Sequence, residues 1–324
     1  GEPEMKIRGS NIVVTGCAGF IGSHLTDALL AMGNHVVGVD NLSAGRREFL
    51  ENAEGYQDFR FVQADLLNDD LRTIFKGADA VMHLAANPDV RSGAKDTLSH
   101  YKQNIEVTYR VLEAMKETGT RDILFPSTST VYGEPTVIPT PEDYGPLVPI
   151  SVYGATKLAC EALICSYAHS FDMNGVIFRF ANVVGTRSTH NVLHDFTNKL
   201  KADPGRLEIL GSEPGTTKSY VHVEDCVRGM IIGAEYARNK VEMFNLGSND
   251  RMSVKDIADT VAEVMGLRGV RYEWTGGVQG GRGWIGDVKN MLLSSDKLRS
   301  YGWEPTMNSS QSIKKAVREI VRSA

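Results

Sequence analysis

Cysteine is scarce, at four in 324 residues, too few for a disulfide scaffold. No apolar run approaches the ~18 residues of a membrane helix, and no charged-then-apolar stretch at the N-terminus has the form of a signal peptide. An excess of positive charge is also missing. Lys and Arg number 35 against 40 Asp and Glu, a formal balance of −5. Nucleic acid and an anionic membrane surface are therefore excluded as main partners. Repeats, low-complexity tracts and a Pro/Ser-rich linker are all absent. Apolar residues at 42% and charged residues at 23% exclude intrinsic disorder. The expectation is a reduced, cytoplasmic, globular chain, long enough for two domains at roughly 100–200 residues each. Gly1–Glu4, ahead of Met5, reads as an added or frayed end.

What is present is an alternation. Short apolar segments at Asn11–Thr15, His35–Val39, Arg60–Val62, Ala80–His83, Asp122–Pro126 and Val176–Phe180 lack polar alternation, as do strands buried on both faces of a parallel sheet. Helical patterns separate them at Phe20–Met32, Asn68–Phe75, Asp96–Glu117 and Tyr153–Phe171. Strand-helix repetition predicts a doubly wound α/β fold. Beyond residue 180 the regularity weakens. Helices are expected at Val192–Lys201, Glu224–Tyr236, Ser253–Met265 and Ser310–Arg322, with short strands at Leu207–Ile209, Ser219–Val223 and Phe244–Leu246. Six glycines in Gly276–Gly286 predict a mobile loop.

Gly16, Gly19 and Gly22 form a G-x-x-G-x-x-G triplet between the first strand and the first helix. Gly16 permits a sharp turn, Gly19 allows backbone N–H groups to approach a pyrophosphate, and Gly22 permits close helix–strand packing. Phe20 and Ile21 then open the helix, whose positive end favours phosphate. Asp40 ends the second strand 18 residues after Gly22, near the ~20 expected of a ribose-binding acid. Its carboxylate repels a 2′-phosphate and so favours NAD over NADP, with Asn41 beside it. Arg46 and Arg47 follow too far downstream to reverse that choice. Asp65 and Leu66 are candidates for holding adenine, although Asp65 also suits a turn or helix cap.

Tyr153 and Lys157 are four apart, on one face of a helix. Thr128 precedes Tyr153 by 25 residues, within the segment Pro126–Gly133. Together with the glycine loop, Asp40, Leu84-Ala85-Ala86 and Asn104, these residues resemble an extended short-chain dehydrogenase/reductase. Within that superfamily the chain is most similar to the NAD-dependent nucleotide-sugar 4-epimerases. The resemblance is strong to about residue 185 and looser beyond it.

The resemblance implies a Rossmann-type doubly wound parallel sheet with a smaller α/β substrate-binding lobe. The NAD domain would span 5–180, with return segments near 219–248, and the lobe mainly 181–324. Leu84, Ala85, Ala86 and Asn104 would line the NAD site. Tyr153 would take the proton of the sugar 4-hydroxyl, with Lys157 depressing its pKa from ~10 and holding the nicotinamide ribose. Thr128 would bond the 4-oxygen, with Ser129 beside it. Relatives that dehydrate or decarboxylate carry acids where this chain has Ser129 and Thr130, so simple epimerisation is favoured.

The implied substrate is UDP-glucose/UDP-galactose, with UDP-glucuronate or a UDP-N-acetylhexosamine as rivals. Asn182 would face the sugar diphosphate, and Val192 and Leu193 would offer backbone to the nucleotide. Lys218 stands where an arginine would bind the diphosphate, a weaker arrangement without the bidentate fork. Arg282 is the better candidate. Arg187 could pair with a hexuronate carboxylate. Met291 occupies a position that can control room for an N-acetyl group. A homodimer built on helices 96–117 and 153–170 is also implied. His190 and His194 have metal-ligand spacing but no third ligand, so no metal is expected.

Overall fold

The computed structural model describes residues 5–323 apart from Pro88 and Val90, so Gly1–Glu4 lie outside the described residues. Strand β1 (Asn11–Thr15) leads through the glycine loop into α1 (Phe20–Ala31). β2 (His35–Asp40) follows, then the short α2 (Glu51–Glu54), β3 (Phe59–Gln63), the single turn α3 (Arg72–Phe75) and β4 (Ala80–His83). The expected helix over Asn68–Phe75 shrinks to that one turn. Asp69 accepts from Asp65 N at 2.7 Å and Asp70 from Arg72 N at 3.0 Å, and such local bonds compete with helix.

α4 (Thr97–His100) passes through a π turn, Tyr101–Glu106, into α5 (Val107–Thr118), which ends at the left-handed Gly119. β5 (Asp122–Thr128), α6 (Val152–Phe171) and β6 (Asn174–Phe180) complete this half. Ser151 caps α6 by accepting from Gly154 N at 3.0 Å.

β7 (Asn182–Val184), α7 (Val192–Ala202), β8 (Arg206–Ile209), β9 (Thr217–Lys218) and β10 (Tyr220–His222) open the second half. α8 (Val223–Tyr236), β11 (Val241–Leu246), β12 (Met252–Ser253), α9 (Val254–Val264), β13 (Arg271–Trp274), α10 (Asp296–Ser300) and α11 (Ser309–Arg322) follow. Ser253 and Asp256 form a reciprocal capping box at α9. β13, which sequence patterning does not predict, pairs parallel with β8.

Seven strands make one parallel sheet in the order β3-β2-β1-β4-β5-β6-β11. The chain turns back between β1 and β4, the switch point at which such sheets leave a crevice beyond their carboxyl ends. One face is covered by Leu25, Leu29, Val223, Met230 and their neighbours on α1 and α8. The other is covered by Val111, Met115, Cys160 and Ile164 on α5 and α6. Leu193, Phe196, Ile257, Val261, Ile313 and Val317 form a separate core in the lobe. Val131, Tyr132, Ala181, Val288, Met291 and Leu293 join the lobe to the catalytic side of the sheet. Among the described residues no helix is long and apolar enough to cross a membrane.

Candidate active site

The glycine positions are demanded by close approach. At Gly16 (φ +68°) a Cβ would lie 2.7 Å from Ala85 N, and at Gly22 it would lie 2.0 Å from Gly16 O. No side chain caps the start of α1, whose N-cap is Gly19, and no acidic residue stands in its first turn. The first N–H groups thus face the crevice with the positive helix end behind them. That cradle fits a pyrophosphate. Phe20 and Ile21 pack partly against the core beside it. Asp40 closes the loop by accepting from Ala18 N at 3.0 Å and Leu42 N at 2.9 Å, and its remaining lone pairs suit ribose hydroxyls. Asn41 bonds Ser43 in its own turn. Arg46 and Arg47 pair with Glu48 and Glu54.

Asp65 accepts from Leu67 N at 2.9 Å and Asn68 Nδ2 at 2.6 Å, so its carboxylate organises a turn; Leu66 is buried beside it. Leu84–Ala86 run along the glycine loop. Leu84 N donates to Thr15 O, and Ala85 N to Thr15 Oγ1, each at 3.2 Å. Beneath them the buried His83 meets Thr15 Oγ1 at 2.7 Å through Nδ1 and Thr108 Oγ1 at 3.0 Å through Nε2. Burial, then the charge of Lys157, pushes His83 down to about 3, which keeps it neutral. Asn104 is committed to Asn87 N and Thr156 Oγ1, each at 2.9 Å. It clamps the β4 loop to α6.

Thr128 ends β5 at 8% exposure. Its hydroxyl accepts from Thr130 N at 3.1 Å and caps the turn Ser129–Tyr132. Ser127 instead donates to Glu161 Oε2 at 2.5 Å, and Glu161 pairs with the buried Arg179 at 2.7 Å. Tyr153, half-buried, meets His100 edge-on at 6.2 Å. Burial, then Cys160, pushes its phenol up to about 12. Lys157 is 4% exposed, and burial pushes its ammonium down to about 8.

In the lobe, Lys218 pairs with the buried Asp287 and stands 4.8 Å from the Trp284 ring centroid. Arg91 lies 4.6 Å from the same ring. Arg282 is held by Glu134 at 2.7 Å, just beyond the Val131–Gly133 segment. Gly286 packs so closely on the α6 cap that a Cβ would lie 2.9 Å from Ser151 Cβ. The loop expected to be mobile is therefore anchored from several sides, close to Tyr153. Arg187 is ion-paired at 2.8 Å with Asp27 of α1. Asn182 is exposed at the start of β7, while Leu193 is buried in the lobe core with Val192 packed on it. Met291 is buried between the two halves. His190 bonds Thr189, and among the described residues no group of three His, Cys, Asp or Glu could hold a metal ion.

Residues 12–247 match the profile of the NAD dependent epimerase/dehydratase family. The chain belongs to this family. As an epimerase/dehydratase of the extended short-chain dehydrogenase/reductase type, it uses NAD. It is 32% identical over 314 residues to a UDP-glucose 4-epimerase of Mycolicibacterium smegmatis, covering 94% of this chain and 96% of that one. It superposes on a crystal structure of a UDP-galactose 4-epimerase with TM-score 0.85 at 41% identity, over 97% of this chain and 99% of the other. A Bacillus cereus UDP-glucuronic acid 4-epimerase, in complex with UDP-glucuronic acid and NAD, gives TM-score 0.87 at 31% identity, over 97% and 100%.

Around this epimerase/dehydratase site stand residues that motif reading passed over: His83, Phe125, Glu134, Glu161, Arg179 and Trp284. One of them was signposted. Arg179 interrupts the apolar run Val176–Phe180, and a charge inside a buried strand demands a partner.

Proposed function

We propose that this enzyme inverts C4 of a UDP-hexose, interconverting UDP-glucose and UDP-galactose through a transient 4-keto sugar. The observation that carries the reading is the packing of the first turn of α6 on the turn that Thr128 caps, where a Cβ on Gly154 would lie 3.0 Å from Thr130 O. It supports bringing Thr128, Tyr153 and Lys157 together, with an uncapped glycine cradle at the start of α1 and no carboxylate at 129 or 130. NAD would rest on Gly16, Gly19, Phe20, Ile21 and Gly22, with Asp40 at its adenosine ribose and Leu84–Ala86 along its flank. When bound, NAD supplies positive charge and a reversible hydride acceptor for sugar C4.

Tyr153 accepts the proton of the 4-hydroxyl as phenolate and returns it to the inverted alkoxide. Lys157 favours that phenolate through its charge. Thr128 donates a hydrogen bond from its hydroxyl to the 4-oxygen, keeping its proton, while Thr130 N donates to that hydroxyl and holds it in place. Asn104 acts at one remove, fixing the β4 loop against α6. Asn182, Lys218 and Arg282 are proposed to contact the sugar diphosphate, the last two on exchange from Asp287 and Glu134. The pairing of Arg46 and Arg47 with carboxylates supports NAD over NADP.

Arg187 bears on the choice of sugar. Its Nη2 is engaged by Asp27 at 2.8 Å while its buried Nη1 has no partner among the described residues, so the neutral hexose is set against a hexuronate by the assay below. We further infer a homodimer and a cytoplasmic setting. Leu98, Tyr101 and Tyr109 of the 96–117 segment and Phe171 at the end of α6 expose apolar surface, which supports the first. Four free cysteines, three of them buried, support the second.

The test incubates the purified protein with UDP-glucose and UDP-glucuronate separately, without added NAD, and follows C4 by NMR. Appearance of UDP-galactose is expected. Conversion of the uronate alone would replace the substrate assignment, and a dehydrated keto sugar would replace the reaction class. Tyr153→Phe should lower turnover by about 100-fold or more while the protein retains NAD.

A further inference from the structure

We propose that Phe125 is a positioning residue for the proton-transfer pair: the face of its ring holds the Lys157 ammonium charged and aimed along the side of α6 that carries Tyr153. The inference rests on the reading of Tyr153 and Lys157 as that pair. Lys157 is 4% exposed, and among the described residues its Nζ makes no hydrogen bond or ion pair. Its favourable contact is instead the Phe125 ring, whose centroid lies 4.2 Å from Nζ. An aromatic face carries partial negative charge, and its attraction for a cation grows when water is excluded.

Phe125 is itself 2% exposed and lies three residues before Thr128 in β5, so one strand carries both the platform and the hydroxyl. The charged and titratable neighbours of Lys157, Tyr153 apart, are committed elsewhere. On its own helix, Cys160 Sγ bonds Asn104 O at 3.2 Å, and Glu161 is taken by Arg179 of β6 and Ser127 of β5. Tyr153 lies four residues back on the same face. From β4, His83 stacks on Phe125 at 6.0 Å and is held between two threonines. Glu161 acts on Lys157 only through space, its oxygens already bonded to Arg179 and Ser127, so among the described residues the direct contact that offsets the burial of the charge is the ring.

The test replaces Phe125 in the full chain by mono-, di- and trifluorophenylalanine. These analogues keep the ring's shape while draining charge from its face. The Lys157 titration is read by NMR of 13Cε-labelled lysine, its resonance assigned by loss in Lys157→Met. The titration should move down stepwise across the series, by on the order of one pH unit in total. The acid limb of the kcat profile should move up in step, with KM unchanged. Phe125→Trp should restore the titration and Phe125→Leu should not. A titration that stays flat across the fluorinated series overturns the proposal, even if Lys157→Met is inactive. A titration that shifts while the kcat profile stays still overturns the pairing of Lys157 with Tyr153, and the positioning role with it.

Discussion

At the scale of single residues, burial sets the catalytic pair against its own chemistry. A phenol pushed up to about 12 and an ammonium pushed down to about 8 both favour the neutral form, because low-dielectric surroundings disfavour charge of either sign. Lys157 is thus a stability cost retained for function. Its folded pKa lies below the ordinary lysine value, so the unfolded chain binds more protons between about pH 8 and 10.5. Stability therefore climbs with pH through that window, and the penalty is complete below it. Lys157→Met should abolish turnover yet stabilise the nucleotide-stripped protein by up to roughly 3 kcal/mol at neutral pH. Thermal unfolding across pH checks both the size and the lost slope; an unchanged slope would remove Lys157 as its source.

At the scale of elements, one buried pair fastens three of them. Arg179 of β6 meets Glu161 of α6 at 2.7 Å, and Glu161 also receives Ser127 of β5. Removing one partner leaves the other charge buried and uncompensated, so Glu161→Gln should cost about 3–5 kcal/mol in denaturant unfolding. Glu161→Leu combined with Arg179→Met should cost far less, since no charge is stranded. The 276–289 loop is held differently, at its rim. Glu134 accepts from Arg282 Nη2 at 2.7 Å and Lys289 N at 3.1 Å. Glu134→Gln should free Arg282 and alter KM for the nucleotide sugar several-fold with little change in kcat; steady-state kinetics decide it, and an effect confined to kcat would argue against this placement.

Local elements were legible because their causes are local. Apolar strands, the Ser253–Asp256 cap and the Tyr153/Lys157 face follow from spacing alone. The partner of Lys218 was not, since Asp287 lies 69 residues away. Nor was the shortening of Asn68–Phe75, where acidic side chains won backbone N–H groups from the helix. Arg187 read as a cation able to pair with a hexuronate carboxylate, and only the packing of its loop on α1 gave it Asp27.

At the scale of the whole molecule, the switch point between β1 and β4 gathers the glycine loop, Asp40, the β4 loop, Thr128 and α6 at one rim of the sheet. His83 spans that rim from β1 to α5 and is neutral down to about pH 3. Because an unfolded histidine takes up a proton below about pH 6.5, stability should fall as pH drops from there towards 3. His83→Gln should flatten that part of the acid profile by calorimetry; an unchanged profile would assign it to other groups.

The sequence by itself determined the apolar strands of the first half, the turns that only glycine permits, and which side chains share a helix face. Those depend on φ angles and on neighbours one to four residues apart. Tertiary structure alone decided that β11 joins the sheet beside β6, that Lys218, Arg282 and Arg187 each acquire a carboxylate, and that Lys157 lies over Phe125. Desolvation and charge pairing act through space, and their strength depends on which distant atoms the fold brings together.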